Sequence, residues 1–534
     1  MLFDRRSAMG ATLGCAALMA FDRPAHGAAA TSVARTTAGR VAGVLADGVH
    51  RFLGVPYGEP TGGAARFLPA RLRRPWSGIR PAIEIGPRCP QKGHDGSTPE
   101  ASEDCLSLNV WTGALKGRKP VMVWLHGGGW EAGMGFDPLT DGAFLARTQD
   151  IVVVTINHRL NVFGYLNLAH AGGEKYAASG NAGLLDIVLA LQWVRHNAEA
   201  FGGDPDRVMI FGQSGGGRKA SVMLAVPGAA GLFHRCASES GPALRMDDAD
   251  LSFERADRLL HTLGLNAGEV SKLADIPVAT VTAAGITVRN AMGQFRPNVD
   301  GVVLPRQPVD PGGLAPSAHV PLIVGTARDE TALFLGADPA YATLGEAELR
   351  RQLEPFLPSS HAEAVIQAYR ARYPALDNGR LFARLTTDRS YLLDAILLAE
   401  HKAAQGGAPA YLYAFDYPMT VGAFHDVTPH VAEVPFIFGT LPAWRYVTPS
   451  AEALRLVDTM SGTWAGFAHT GVPHGPRLPS WPRFDVATRS TMVIGKTIRV
   501  LSDPYRADRE TMLPFGSQQL DRFEPRPPGP WIRP

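Results

Sequence analysis

Cysteine is scarce in this chain. Four among 534 residues are too few for a disulfide scaffold. No spacing between them and the 16 histidines forms the four-ligand set of a structural metal site. An excess of one charge is missing too: 52 basic and 50 acidic side chains leave a formal +2, with no block of like sign. That excludes an electrostatic nucleic-acid surface. The chain has no internal repeat and no Gly/Ser or Pro linker between residues 35 and 515, so nothing divides it. Past the N-terminus, no stretch reaches the ~18 uncharged residues that a membrane span needs.

What is present suits one large packed domain. With 45% hydrophobic and 19% charged residues, the chain can bury a sizeable core. Residues 31–522 are expected to form a single domain with inserted loops. Residues 1–30 read as an address: Arg5-Arg6 precede an apolar stretch from Ala8 to Phe21, followed by small residues through Ala30. This is the pattern of a cleavable export signal, and the paired arginines point to the twin-arginine route. The expected location is periplasmic or secreted. Residues 523–534 are a Pro-rich tail.

One run carries chemistry. Val208-Met209-Ile210-Phe211 is an apolar stretch of strand type, and it ends in Gly212-Gln213-Ser214-Gly215-Gly216, with a helix able to follow from Arg218 to Val226. In a chain with 58 glycines the five-residue pattern is weak by itself. Between a strand and a helix it reads as a nucleophile elbow, in which small neighbours let a serine take a strained conformation that exposes its hydroxyl. A second apolar run, Pro120-Val121-Met122-Val123-Trp124-Leu125, empties into His126-Gly127-Gly128-Gly129. Ester hydrolysis builds negative charge on the carbonyl oxygen, and fixed N–H donors stabilise that charge in the transition state. The expected donors are the amides of Gly128, Gly129 and Gly215.

Glu103-Asp104-Cys105-Leu106-Ser107-Leu108-Asn109-Val110-Trp111 and the elbow run resemble the two signatures of type-B carboxylesterases, the family of cholinesterases and bacterial esterases. The likeness continues through Asn157-His158-Arg159, Gly180-Asn181-Ala182-Gly183-Leu184-Leu185-Asp186, Leu191-Gln192-Trp193-Val194 and Gly231-Leu232-Phe233-His234-Arg235, thinning between residues 245 and 290. It implies the α/β-hydrolase fold, a mostly parallel central sheet flanked by helices with large inserted loops. The alternation of apolar strands and amphipathic stretches suggests the same α/β class. It also implies a serine esterase that needs no cofactor and no metal and takes a small-molecule ester with an apolar portion. Oligomeric state is not legible.

A serine hydroxyl needs a base to take its proton. Two histidines, His425 and His430, compete in the segment before an apolar run. In the family the base lies three residues before a glutamate that opens such a run. Glu433, opening Val434-Pro435-Phe436-Ile437-Phe438, therefore selects His430. The resemblance places the acid at Glu330, after the strand-like Pro321-Leu322-Ile323-Val324-Gly325, with Asp329 as the alternative and Thr331 where a glycine is usual. Both carboxylates could instead pair with Arg328 at the surface. By the same likeness Ser240 supports the acid through a hydrogen bond, and Cys89 and Cys105 form a disulfide across a polar loop of 15 residues. Such a bridge contributes about 3 kcal/mol in the loop-entropy account. Cys236 is left as a buried thiol.

Two departures bear on substrate. The loop between Cys89 and Cys105 has no aromatic residue, so a quaternary ammonium finds no cation–π platform there. Gln213 also stands where the family commonly has a glutamate. Choline esters are not expected. Trp130, Phe136, Phe334 and Phe424 are candidates for an apolar pocket or equally for the core. Arg218 and Lys219 follow the elbow where a helix should run inward; the expected role is pairing with buried carboxylates, the alternative an anionic group on the substrate.

Overall fold

The structure, a computed structural model, describes residues 30–92, 100–335 and 343–518. The expected export signal (residues 1–30) lies outside the described residues except for residue 30, and the Pro-rich tail (523–534) lies outside them entirely. The described strands are β1 (Ala30–Arg35), β2 (Arg40–Ala46), β3 (Val49–Pro56), β4 (Ile79–Pro81), β5 (Ser107–Thr112), β6 (Lys119–Leu125), β7 (Val152–Ile156), β8 (Gly203–Gln213), β9 (Arg235–Glu239), β10 (Leu322–Ala327), β11 (Ala410–Asp416), β12 (Ser490–Gly495) and β13 (Ile498–Ser502). They form one sheet in the order β1-β2-β3-β5-β7-β6-β8-β9-β10-β11-β12-β13, with β4 beside β2.

From β7 to β12 every neighbouring pair is parallel. The flanks, β1-β2-β3-β5-β7 on one side and β12-β13 on the other, are antiparallel. All residues of β6, β7 and β10 are buried, as two-sided cover by helices demands, and their sequences are accordingly continuous apolar runs. Edge strand β13 is half-exposed and alternates Ile, Arg, Val.

One helical run, Glu174–Phe201, is long and apolar enough to cross a membrane by composition, but 78% of its apolar window is buried inside the protein. It is a core helix. Two large apolar clusters fill the two faces of the sheet. One includes Val123, Val154 and Ile210; the other includes Met122, Val153, Phe211 and Trp464. Alternate residues of one strand thus serve opposite cores.

The parallel strands all end at the same edge, where their C-terminal loops gather. This is where open α/β sheets bind ligands. Gly128 and Gly129 follow β6, Ser214 follows β8, Ser240 follows β9, Glu330 follows β10 and His430 lies in the connection after β11.

Candidate active site

Ser214 has φ 59° and ψ −123°, a conformation rarely taken by a residue with a side chain. It sits between β8 and the helix Gly215–Met223, which starts directly after it and earlier than the Arg218 expected from the sequence. Its N–H donates to the Glu239 carbonyl at 2.8 Å, tying the turn to β9. Close packing explains the glycines. A Cβ on Gly216 would lie 1.9 Å from the Leu125 carbonyl oxygen, and one on Gly241 would lie 2.0 Å from that of Ser214.

The glycine loop after β6 meets this elbow directly. Gly128 and Gly129 have φ of 87° and 63°, and a Cβ on Gly215 would come within 2.4 Å of the Gly129 nitrogen. Gly215 and Gly129 are therefore back to back. None of the amides of Gly128, Gly129 and Gly215 has an acceptor among the described residues. Gln294 lies against Gly129.

His430 is 2% exposed and Glu330 is fully buried. The imidazole Nδ1 contacts Glu330 Oε2, and the backbone N–H of His430 donates to the Glu330 carbonyl at 3.2 Å. The other carboxylate oxygen of Glu330 accepts from the Ala327 amide at 2.8 Å. The Gln213 side-chain amide lies 3.2 Å from the same Nδ1, so the residue preceding Ser214 touches the ring. Nε2 of His430 is buried with no hydrogen-bond partner. Val431, next in the chain, holds φ at 76°, a strained value for a β-branched residue.

The alternatives fall elsewhere. His425 is exposed and pairs with Asp426 at 3.0 Å. Asp329 accepts from Arg328 at 2.8 Å and from the Thr428 amide at 2.9 Å, so it braces two loops while Glu330 faces the imidazole. Thr331 is not in the left-handed region where glycine is required. Its hydroxyl donates to the Ala383 carbonyl at 2.8 Å, fastening the acid's loop to the helix Asn378–Thr387.

Two expectations are corrected. The Ser240 hydroxyl donates to Glu433 Oε1 at 2.8 Å, not to Glu330. The reason is that Glu433 enters the space beside β9, where it also meets Tyr413 and the neighbouring Glu239. Cys89 and Cys105 stand as free thiols in this structure, both buried and in contact through their sulfurs. Among the described residues Lys219 finds no carboxylate: its ammonium donates to the His126 carbonyl at 3.0 Å and lies 5.9 Å over the Trp130 ring. Arg218 makes no ion pair or side-chain hydrogen bond among the described residues.

Of the aromatic candidates, Trp130 and Phe424 are core, and Phe136 is partly buried against Trp111. Phe334, 37% exposed, stands 5.2 Å from the His430 ring and belongs to the site. Tyr391, which nothing in the sequence marked, lies 5.4 Å from that ring on its other contact. It is carried by a π-helical segment, Asp388–Leu392, set inside a longer helix. Such bulges have no signature in residue type.

Burial sets the electrostatics. Glu433 is pushed up to about 7, first by desolvation and then by the nearby Glu330 charge. Glu239 rises well above the usual carboxylate range through burial and the Glu433 charge, although Trp464 Nε1 donates to it at 2.6 Å. On the other side, Lys219 is lowered to about 7 by desolvation. The stacked imidazoles of His126 and His158, with centroids 4.7 Å apart, are held well below their usual range by burial and by the Lys219 charge. No group of three or more His, Cys, Asp or Glu among the described residues is placed to hold a metal ion.

The model of the carboxylesterase family matches residues 30–511. The chain belongs to the carboxylesterase family. This carboxylesterase is 33% identical over 497 residues to the para-nitrobenzyl esterase of Bacillus subtilis, covering 90% of this chain and 98% of that protein. It is 32% identical to the phenmedipham hydrolase of Pseudarthrobacter oxydans, over 87% of this chain and 95% of that one. A carboxylesterase structure from Geobacillus stearothermophilus superposes with a TM-score of 0.80 at 34% identity, covering 90% of this chain and 99% of that one. The fold is that of the α/β-hydrolase carboxylesterases, and the activity is hydrolysis of carboxylic esters.

Proposed function

We propose that this carboxylesterase cleaves its ester in two acyl transfers, with Ser214 as nucleophile, His430 as base and Glu330 as the acid that orients it. Ser214 Oγ attacks the carbonyl carbon while Nε2 of His430 takes its proton. Glu330 at Nδ1 fixes the tautomer and stabilises the imidazolium as it forms. The negative charge on the carbonyl oxygen is collected by the amides of Gly128, Gly129 and Gly215, which have no other acceptor among the described residues. His430 then gives its proton to the departing alcohol. Water then attacks the acyl-enzyme, losing a proton to the same nitrogen, and His430 returns that proton to Ser214 Oγ as the acid leaves.

One observation carries this assignment: the imidazole is held at Nδ1 by a buried carboxylate and touched by Gln213, while its buried Nε2 has no partner. Ser214→Ala is expected to lose nearly all turnover of 4-nitrophenyl esters and to keep its circular dichroism spectrum. An organophosphate is expected to add its mass to the peptide containing Ser214 and to none from the variant. Undiminished turnover in Ser214→Ala defeats the assignment.

The apolar part of the substrate packs against Phe334 in this reading. Export through the N-terminal signal remains part of the proposal, as does a Cys89–Cys105 bridge formed after export, for which the contact of the two thiols is the support. Cell fractionation with N-terminal sequencing tests the first. A 2 Da mass difference on reduction of the exported protein tests the second, and no difference excludes the bridge.

A further inference from the structure

Two basic residues follow the elbow, and the structure separates them. Lys219 is fully buried and bonded to the main chain, so it is a packing group. Arg218 is different. It lies one turn beyond Ser214, its N–H donating to the Ser214 carbonyl at 3.0 Å in the first turn of the helix Gly215–Met223. Among the charged and hydroxyl-bearing neighbours on Gly215–Met223, Lys219 and Ser221 are buried, whereas Arg218 keeps contact with solvent as Ser214 does.

Its surroundings identify the space it faces. Burial pushes the Tyr391 phenol up, the Glu330 charge adds to this, and the nearby Arg218 charge opposes it. Tyr391 in turn stands 5.4 Å from the His430 ring. The guanidinium is thus within electrostatic reach of the aromatic wall beside the imidazole. It has no ion pair and no side-chain hydrogen bond among the described residues, although most other buried or half-buried arginines here have both: Arg159 with Asp186, Arg66 with Glu103, Arg384 with Asp388. Its unpaired fork of donors, reached by solvent, matches a planar anion.

We infer that Arg218 receives a carboxylate on the substrate, so that this esterase is directed to esters that carry a second, ionised carboxyl group, such as monoesters of dicarboxylic acids. The inference rests on the esterase reading above and extends it to substrate class. Arg218 acts in binding the remote anion; it exchanges no proton and forms no covalent bond.

The test compares matched pairs. Mono-4-nitrophenyl adipate against 4-nitrophenyl hexanoate places the carboxylate on the acyl side. 4-(Acetoxymethyl)benzoate against benzyl acetate places it on the alcohol side. The wild type is expected to favour the charged member of one pair by about tenfold or more in kcat/KM, chiefly through KM, with the preference shrinking as salt is raised. In Arg218→Gln that ratio collapses to near one, and Arg218→Lys restores part of it. Free adipate is expected to inhibit the wild type competitively and Arg218→Gln far less. Equal treatment of charged and neutral members by the wild type in both pairs overturns the proposal, as does a ratio that Arg218→Gln leaves unmoved. Failure of the wild type to turn over any of the four esters would count instead against the esterase assignment.

Discussion

At Lys219 an ammonium is enclosed under the glycine loop with a carbonyl and an indole for company. Its pKa falls from 10.5 in the ordinary state to about 7 in the fold. Below about 7 both folded and unfolded chains carry the proton, and the full burial cost applies. Between about 7 and 10.5 the unfolded chain binds more protons than the folded one, so this residue's contribution to stability improves as pH rises. Comparing wild type with Lys219→Met by urea unfolding at pH 6 and pH 9 is expected to show the balance moving toward the wild type at the higher pH. A difference independent of pH would mean that the ammonium is solvated. From the sequence only the oddity of a basic pair after the elbow was legible. Which of the two turns inward depends on helix phase, and the helix begins three residues earlier than apolar periodicity alone suggested.

At the scale of elements, the site depends on how loops are fastened. Thr331 anchors the Glu330 loop to the helix Asn378–Thr387 through its hydroxyl. Thr331→Val keeps the volume and removes the donor, leaving the acid's loop less firmly held. A stability loss of about 1–3 kcal/mol is expected. In steady-state kinetics kcat is expected to fall while KM changes little, because the substrate's own contacts are elsewhere. Unchanged kcat would show that the loop holds its place without the bond. The strands that carry the site were readable, since β6, β8 and β10 are apolar runs ending in glycine or polar loops. Tyr391 was not, because a π turn is a matter of hydrogen-bond register and leaves no residue pattern. Nor was the destination of the Ser240 hydroxyl: it depends on Glu433, which the sequence offered only as a landmark beside His430, arriving across the sheet edge.

In the whole molecule, the motifs that revealed the family are chiefly joints. Arg159 is 2% exposed and grips the fully buried Asp186 with two bonds of 2.7 Å, while another of its nitrogens donates to the Leu68 carbonyl at 2.8 Å. This clamp joins the loop after β7, the long core helix and the N-terminal loops. Asn157 similarly accepts from the Gly135 amide at 2.6 Å and donates to the Pro87 carbonyl at 2.8 Å. Asp186→Asn strands a buried guanidinium and is expected to cost about 3–5 kcal/mol, read as a lower urea midpoint. A loss below 1 kcal/mol would mean that water reaches the pair. These joints explain why resemblance extended along most of the chain although the reacting groups are few: the motifs preserve the frame that brings strand ends together.

The contact of Gly215 with Gly129 leaves no room for even a methyl group, so the floor beneath the ester is closed to alteration. Any history of adaptation to new esters, in nature or under laboratory selection, must be written in the rim at Phe334, Tyr391 and Gln294, with the floor unchanged beneath it.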